Sequence, residues 1–314
     1  MEQAIARRGT VGGIYIRLVL VQLFWAGTFV ASEVALHDQP PAVTALVRFF
    51  LTTAIYGAMC IVVRDATASP LLMRLRDVTV RNWLALTAMG FFGVSLYTLL
   101  LHIGLAASTA AYAALLIPTT QPIFTALLSR LAFGEAVGSA IIVGLALGLV
   151  GAGLVLLGGL SSSEDALLIG NVVIIASAFS FSCYAVSAKF APASLSSIEN
   201  TTLSFVFGTL FLLPMPLLLG ETLSLTDTTP SFWVSIAYLV VFATVLPYLW
   251  WNDAVKSIGS SRTGIFTFLM PPLAVALAAL VLGHMPVPIQ IIGGVLSLCG
   301  VALATFGWPR RAAR

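Results

Sequence analysis

The chain alternates long apolar runs with short polar breaks. A bilayer core of about 30 Å is crossed by about 20 apolar residues in a helix. By that measure the pattern predicts ten spans: Tyr15–Leu36, Pro41–Val63, Asn82–His102, Ser108–Ser129, Gly138–Gly159, Gly170–Phe190, Ser197–Leu219, Ser231–Asp253, Thr263–Gly283 and Pro288–Phe306. The runs are continuously apolar and rich in Ala, Leu and Gly, whereas barrel strands alternate polar and apolar residues. The prediction is an all-α membrane protein. The first run is too long for the apolar core of a cleaved signal, and no A-x-A site follows it, so it reads as a retained helix.

One run breaks its own rule. In "LIPTTQPIF", Pro118 and Pro122 bracket Thr119, Thr120 and Gln121 near the middle of the fourth span. A proline lacks an N–H and clashes with the carbonyl four residues back. In lipid, freed backbone groups are tolerated only against a neighbouring helix or a cavity. Sliding the chain by 149 residues places Pro122 on Pro271, Gly134 on Gly283, Gly144 on Gly293, Gly151 on Gly300 and Gly158 on Gly307. The repeat is five spans long, an odd number, so the second copy enters the membrane from the opposite side. Such inverted repeats are an architecture of secondary transporters, with broken helices near the midplane at the substrate site. The expected halves are 1–160 and 161–314 of one membrane unit. Pro118, Pro122, Pro271 and Pro272 are the expected hinges or helix breaks. The plainer reading is a kink whose polar groups bond to neighbouring helices.

Composition and charge sharpen the picture. Only 9% of residues are charged and 59% are hydrophobic, against about 25% charged in soluble domains. A net charge of +3 is too small to argue for a nucleic-acid partner. With the N-terminus inside, one membrane side collects Arg7, Arg8, Arg17, Arg64, Arg74, Arg76, Arg81, Arg130, Lys189, Lys256, Arg262, Arg310, Arg311 and Arg314. The other side holds Asp38, Glu164, Asp165, Glu221 and Asp227 and no Lys or Arg. The positive-inside rule then puts both termini in the cytoplasm. Cys60, Cys183 and Cys299 have no paired spacing and read as small hydrophobes.

Candidate chemistry comes from polar residues at helical spacing. Gln22, Trp25, Phe29 and Ser32 share a face of the first span, and Ser95, Thr98 and His102 one of the third. Ser177, Ser180, Tyr184 and Ser187 share a face of the sixth span, and Thr244, Tyr248 and Trp251 one of the eighth. With Arg48, Thr119, Thr120, Gln121 and Thr267, these faces supply the candidate substrate-lining residues. The tryptophans have an alternative role as interfacial anchors. Arg48 would either attract an anionic group on a substrate or pair with Glu33, with Asp38 also in reach. One Arg among hydroxyls argues against sugar phosphates and favours neutral or zwitterionic solutes. Glu33 and His102 are the candidate proton relays. Gly144-x-x-x-Gly148 and Gly293-x-x-x-Ser297 read as packing stripes. His37, His102 and His284 all fall near outer ends and no acids pair, which argues against an intramembrane enzyme. No phosphate loop, metal site or cofactor site is expected.

The run "PTTQPIFTALLSRLAFGEAVGSAIIVGLALGLVGAGLV", its echo "MPPLAVALAALVLGHMPVPIQIIGGVLSLCGVALA", "FWAGTFVASEVAL" and Arg48 in "VTALVRFF" resemble the drug/metabolite transporter superfamily, specifically its EamA-type members. The resemblance covers nearly the whole chain. It implies a ten-helix bacterial inner-membrane carrier, with the first four helices of each half around a central cavity. It suggests export of small metabolites, amino acids foremost, and a monomer or homodimer in the bilayer. Multidrug or nucleoside transport is the alternative. Two departures stand out. His284 replaces the acid that the first half has at Glu135, and Glu33 stands where a basic residue is common.

Overall fold

The computed structural model describes residues 2–62, 71–133, 139–157, 165–222, 224, 228–258, 263, 266–283 and 285–306. Arg64, Gly134, Glu135, Gly158, Glu164, Asp227, Arg262, His284, Gly307, Arg310, Arg311 and Arg314 lie outside the described residues. The α-helices are α1 (Glu2–Leu36), α2 (Pro41–Val62), α3 (Leu71–Arg76), α4 (Val80–Met89), α5 (Tyr97–Ala106), α6 (Ala110–Phe133) and α7 (Ser139–Leu157). They continue with α8 (Asp165–Ser187), α9 (Ser197–Leu212), α10 (Met215–Leu218), α11 (Pro230–Ala237), α12 (Leu246–Ile258), α13 (Met270–Leu282) and α14 (Pro288–Phe306). No strand occurs among the described residues.

Seven helical stretches among the described residues are long and apolar enough to cross a membrane: Gly13–Leu36, Pro41–Val62, Val80–Ala106, Ala110–Phe133, Leu167–Phe190, Ser197–Leu218 and Pro230–Ala254. Shorter apolar helices cover Ile142–Gly151, Met270–Leu282 and Pro288–Gly300. The chain is a multi-pass membrane protein. Two of its helix starts carry capping boxes. Thr79 and Asn82 close α4, and Ser196 and Glu199 close α9, each pair satisfying backbone N–H groups that would otherwise be orphaned.

Two stretches differ from plain α-helix in a way the hydrophobic pattern does not reveal. Gly90–Leu96 joins α4 to α5 as a π-helical segment, and Tyr238–Val245 joins α11 to α12 in the same manner. Their first residues are 148 positions apart. Each is a site of close crossing. A Cβ on Gly90 would lie 2.6 Å from the Ser204 carbonyl oxygen and 2.7 Å from the Gly208 amide. At the other segment Tyr238 donates its hydroxyl to the Phe24 carbonyl at 3.1 Å, filling the space beside Gly27.

The expected break at LIPTTQPIF is not an interruption. α6 runs without a gap through Pro118 and Pro122. Thr119 donates its hydroxyl to the Leu115 carbonyl at 2.6 Å, and Thr120 to that of Leu116 at 2.6 Å. These side chains bond back along the helix, as Thr does within helices, to carbonyls on the turn that precedes Pro118. The partner stretch behaves differently. A short 3₁₀ turn, Phe266–Leu269, leads into α13, whose first turn holds Pro271 and Pro272. There the missing N–H is no loss, because the first turn of a helix has no intrahelical partner for it.

The helix contacts are reciprocal. α1 packs on α13 and on the α11–α12 helix; α8 packs on α6 and on the α4–α5 helix. α9 touches the first π segment, and α2 touches the second. α2 meets α9, α6 meets α13, and α7 meets α14. The central apolar cluster draws on α1, α5, α6, α8 and α13. α7 and α14 pack glycine on glycine. A Cβ on Gly151 would be 2.4 Å from the Gly293 carbonyl oxygen, and one on Gly300 would be 2.5 Å from that of Gly144. Ser297 adds a hydrogen bond to the Gly148 carbonyl at 2.9 Å. The two small-residue stripes therefore face each other within one chain.

Candidate functional site

A cavity of about 660 Å³ lies where these helices converge. Of the residues singled out in the sequence, Trp25, Phe29, Arg48, Gln121, Tyr184, Thr244, Tyr248, Trp251 and Thr267 line it, with Pro118 and Pro271. They come from α1, α2, α6, α8, the second π segment, α12, the turn before α13 and the start of α13. At one end the lining continues over Ala188, Ala191, Ser197 and Asn200, so the cavity reaches towards the end of the bundle that carries Glu199.

Other candidates lie outside the lining. Thr119 and Thr120 are buried and bonded into their own helix, as above. Ser180 donates to the Phe92 carbonyl at 2.7 Å, tying α8 to the first π segment. Gln22, Ser95, Thr98 and His102 are at most 2% exposed and are enclosed by packing. His102 is fully buried, with Nδ1 3.3 Å from the Pro41 carbonyl oxygen. Gln22 has no protein partner for either amide atom. Pro272 sits in the first turn of α13 off the lining, and Pro122 lies within α6.

Several lining residues were not singled out in the sequence: Thr28, Phe49, Tyr97, Phe181, Asn200, Thr201, Phe205 and Asn252. Phe49 and Tyr97 adjoin Arg48 and Thr98, which were noticed. Asn200 and Thr201 form a polar pair one turn into α9. The helical register needed to choose between neighbours depends on how each helix is rotated.

The chemistry of the lining is mostly aromatic. Trp25 faces Trp251 with centroids 5.2 Å apart and Tyr248 at 6.3 Å. Tyr248 continues to Phe205 at 5.9 Å. On the other wall Phe181 contacts Tyr97 at 5.1 Å and Tyr184 at 5.0 Å. Offset and edge contacts at these separations suit ring quadrupoles. Arg48 is the only charged side chain among the described lining residues. It is 6% exposed, and its Nη2 donates to the Thr244 hydroxyl at 3.3 Å, while Nε and Nη1 have no hydrogen-bond partner in the protein. The pairing with Glu33 entertained from sequence does not form. The Glu33 carboxylate instead accepts from the Ala110 backbone N–H and so caps α6. Such a cap favours an anion, because helix N-termini present free N–H groups.

At the opposite end of the bundle, sequence-distant loops are tied together. Asp38 accepts from the Thr229 amide at 2.7 Å and the Thr229 hydroxyl at 2.6 Å. These bonds, the hydroxyl's above all, hold the Asp38 carboxyl below its ordinary value. Gln39 and Ser224 exchange two hydrogen bonds, at 2.8 and 3.4 Å. The Glu221 carboxylate accepts from the Ala42 and Val43 amides at 2.7 and 3.2 Å, capping α2 from across the bundle. At the Glu199 end, Arg74 forms an ion pair with Glu199, with Nη1–Oε2 at 2.7 Å.

Comparison with known proteins places this geometry. A transporter of Bacillus subtilis, YyaM, described as uncharacterized, is 27% identical over 93% of each chain. A probable terminal-alkyne amino-acid exporter of Streptantibioticus cattleyicolor is 29% identical over 91% of each chain. One crystal structure aligns with 96% of this chain and 99% of its own at a TM-score of 0.61 and 19% identity, a likeness of fold. The model of the EamA-like transporter family matches residues 12–157 and again 168–306. With both stretches of this chain matched, the protein belongs to the EamA-like transporter family.

Proposed function

We propose that the protein is a ten-helix carrier of the bacterial inner membrane, with both termini cytoplasmic. It exports small neutral or zwitterionic metabolites, amino acids foremost, by alternating access. The reading divides the chain into inverted five-helix halves, 1–160 and 161–314. The observation that carries it is the cavity between the halves. It is walled by α1, α2 and α6 from the first half and by α8, α9 and α12 from the second. The reciprocal helix contacts and the π segments 148 positions apart support the division. A heterologous match of helices would not return the same pairs in both directions.

The hydrogen bonds at the Asp38 end and the reach of the cavity towards the Glu199 end support reading this arrangement as one of the two states that alternating access requires. Opening one end while closing the other needs the halves to rock about a fixed site. An amino acid suits the mixture of one cation, hydroxyls, amides and aromatic faces. The name of the Streptantibioticus relative points to the same solute class. A multidrug or nucleoside carrier is the alternative, since stacked aromatic walls also accept planar solutes. Uptake of labelled amino acids, nucleosides and cationic dyes into proteoliposomes, with and without a pH gradient, tests the reading. Saturable movement of an amino acid supports it. Movement of dyes or nucleosides alone would replace it by the alternative, and no movement of any solute would end it.

A further inference from the structure

Arg48 poses a question that carrier function in general does not answer. Its guanidinium is almost wholly buried, and one hydroxyl, that of Thr244, serves Nη2 at 3.3 Å. Nε and Nη1 lie on opposite edges of the group and have no hydrogen-bond partner in the protein. A buried cation without a counter-charge is costly, by several kcal/mol even after relaxation. The titratable groups in the electrostatic neighbourhood of Arg48 are Tyr97, Tyr248 and His102, none of them an acid that is ionised at neutral pH. The Phe49 ring lies 5.2 Å from the guanidinium carbon. None of these is an anion, yet Arg48 lines the cavity.

The rest of the lining is equally one-sided. No Asp, Glu, Lys or His occurs among its described residues. A substrate ammonium would therefore have to leave water for a place that offers ring faces, amides and hydroxyls, with a fixed cation in the same chamber. Desolvating an ammonium without a counter-charge costs more than an exposed cation–π contact of about 0.5–1 kcal/mol returns. A carboxylate meets the reverse situation: a lining guanidinium with two unpartnered nitrogens, whose forked donors suit a carboxylate's two oxygens.

We propose that the cavity recognises its substrate through a carboxylate held by Arg48, with the apolar or aromatic body against Trp25, Tyr184 and Tyr248, and that none of its described residues supplies a counter-charge for an α-ammonium. The preferred class is thus the aromatic or apolar monocarboxylate. Amino acids are accepted through their carboxylate, and des-amino acids are taken at least as well. This rests on the carrier reading above and moves its preferred solute from the zwitterion to the anion.

The test uses the purified full-length protein and four probes that share one ring: 3-phenylpropionate, phenylalanine, phenethylamine and 3-phenylpropionamide. Binding is read from the tryptophan fluorescence of the detergent-solubilised protein at pH 7.5, where passive permeation of weak acids plays no part. Proteoliposome flux of labelled phenylalanine is run alongside, with the same compounds as competitors. The expected result is that 3-phenylpropionate binds and competes at least as well as phenylalanine. Phenethylamine should be weaker than 3-phenylpropionate by about tenfold or more, one charge-assisted hydrogen bond's worth. Arg48→Gln should weaken the acid by about tenfold and the neutral amide by distinctly less, and Arg48→Lys should retain part of the preference. A wild-type elution profile and melting temperature show that the variant is folded, and if Arg48→Gln fails to fold, the ranking of the four probes on the wild-type protein decides. An amine that competes as well as the acid overturns the proposal. If phenylalanine moves but 3-phenylpropionate neither binds nor competes, the proposal falls and the carrier reading stands. If nothing moves in the wider solute panel either, the carrier reading itself falls.

Discussion

Gly300 lies directly against the backbone of α7, where a Cβ would come within 2.5 Å of the Gly144 carbonyl oxygen. The obstacle is backbone on both sides, so neither helix can yield without moving as a whole. Gly300→Ala should therefore destabilise by about 1–3 kcal/mol, the usual cost of overpacking. Gly153→Ala is the control, since nothing lies within 4 Å of the point its Cβ would occupy. The measurement is thermal unfolding in detergent. A Gly300→Ala protein that melts like wild type would show that the α7–α14 contact is looser than described.

Gln121 lines the cavity, whereas Thr120 is spent on the Leu116 carbonyl. The two neighbours should therefore part company. Gln121→Leu should lower flux about tenfold if its amide meets the solute. Thr120→Val should leave flux within about twofold, because its hydroxyl is spent inside its own helix and does not face the cavity. The reverse order in proteoliposome assays would mean that the solute meets the threonines.

The hydrogen-bonded pair of Gln39 and Ser224 lies at the closed end. In a background lacking Cys60, Cys183 and Cys299, cysteines at both positions joined by a short bifunctional reagent should stop flux. Either cysteine alone, equally treated, should not. Flux that persists once mass spectrometry shows the crosslink complete would mean that this end stays closed throughout the cycle.

Asp38 predicts a pH dependence that is absent where it is easiest to look. Its carboxyl is held below the ordinary value of 3.8, chiefly by the Thr229 hydroxyl. A depressed carboxylate contributes its stabilisation fully above the unperturbed value and loses it only as pH falls through the lowered one. Between pH 5 and 8 Asp38 therefore stays ionised and the closed end keeps its bonds. Asp38→Asn should change the rate of flux while leaving the shape of its pH profile in that range unaltered. A profile that flattens in the variant would show that Asp38 titrates there.

Glu33 was a candidate proton relay, and in the structure its carboxylate caps α6 at Ala110. Glu33→Gln should weaken that cap by about 1 kcal/mol, lowering the melting temperature. The ratio of flux with and without a pH gradient should be unchanged. A ratio that falls to unity in the variant alone would restore the relay.

Much of the cavity was legible because its residues break the apolar pattern. Trp25, Phe29, Tyr184, Thr244, Tyr248 and Trp251 stand out at spacings of three and four, and Arg48 is an intramembrane charge. The same rule misled at Ser95, Thr98 and His102. A polar side chain in a membrane helix must find company, but a neighbouring helix serves as well as a cavity, and spacing alone cannot tell them apart. Tyr97 was missed for the same reason: it adjoins Thr98 on the helix that the π segment precedes, and a wider turn alters which residues share a face.

The sequence by itself determined the solvent, since continuous apolar runs with 9% charge suit only lipid. It also determined the small-residue stripes of the fifth and tenth apolar runs, because glycine is the residue that permits close approach. Tertiary structure decided what those stripes meet, namely each other. It also decided that α6 passes through its two prolines while α13 begins at its own, and that Glu33 caps a helix and leaves Arg48 without an anion. These outcomes depend on distances between helices far apart in the chain. No local pattern encodes such a distance, because many side chains contribute to each helix rotation and the balance among them is struck only in the packed bundle.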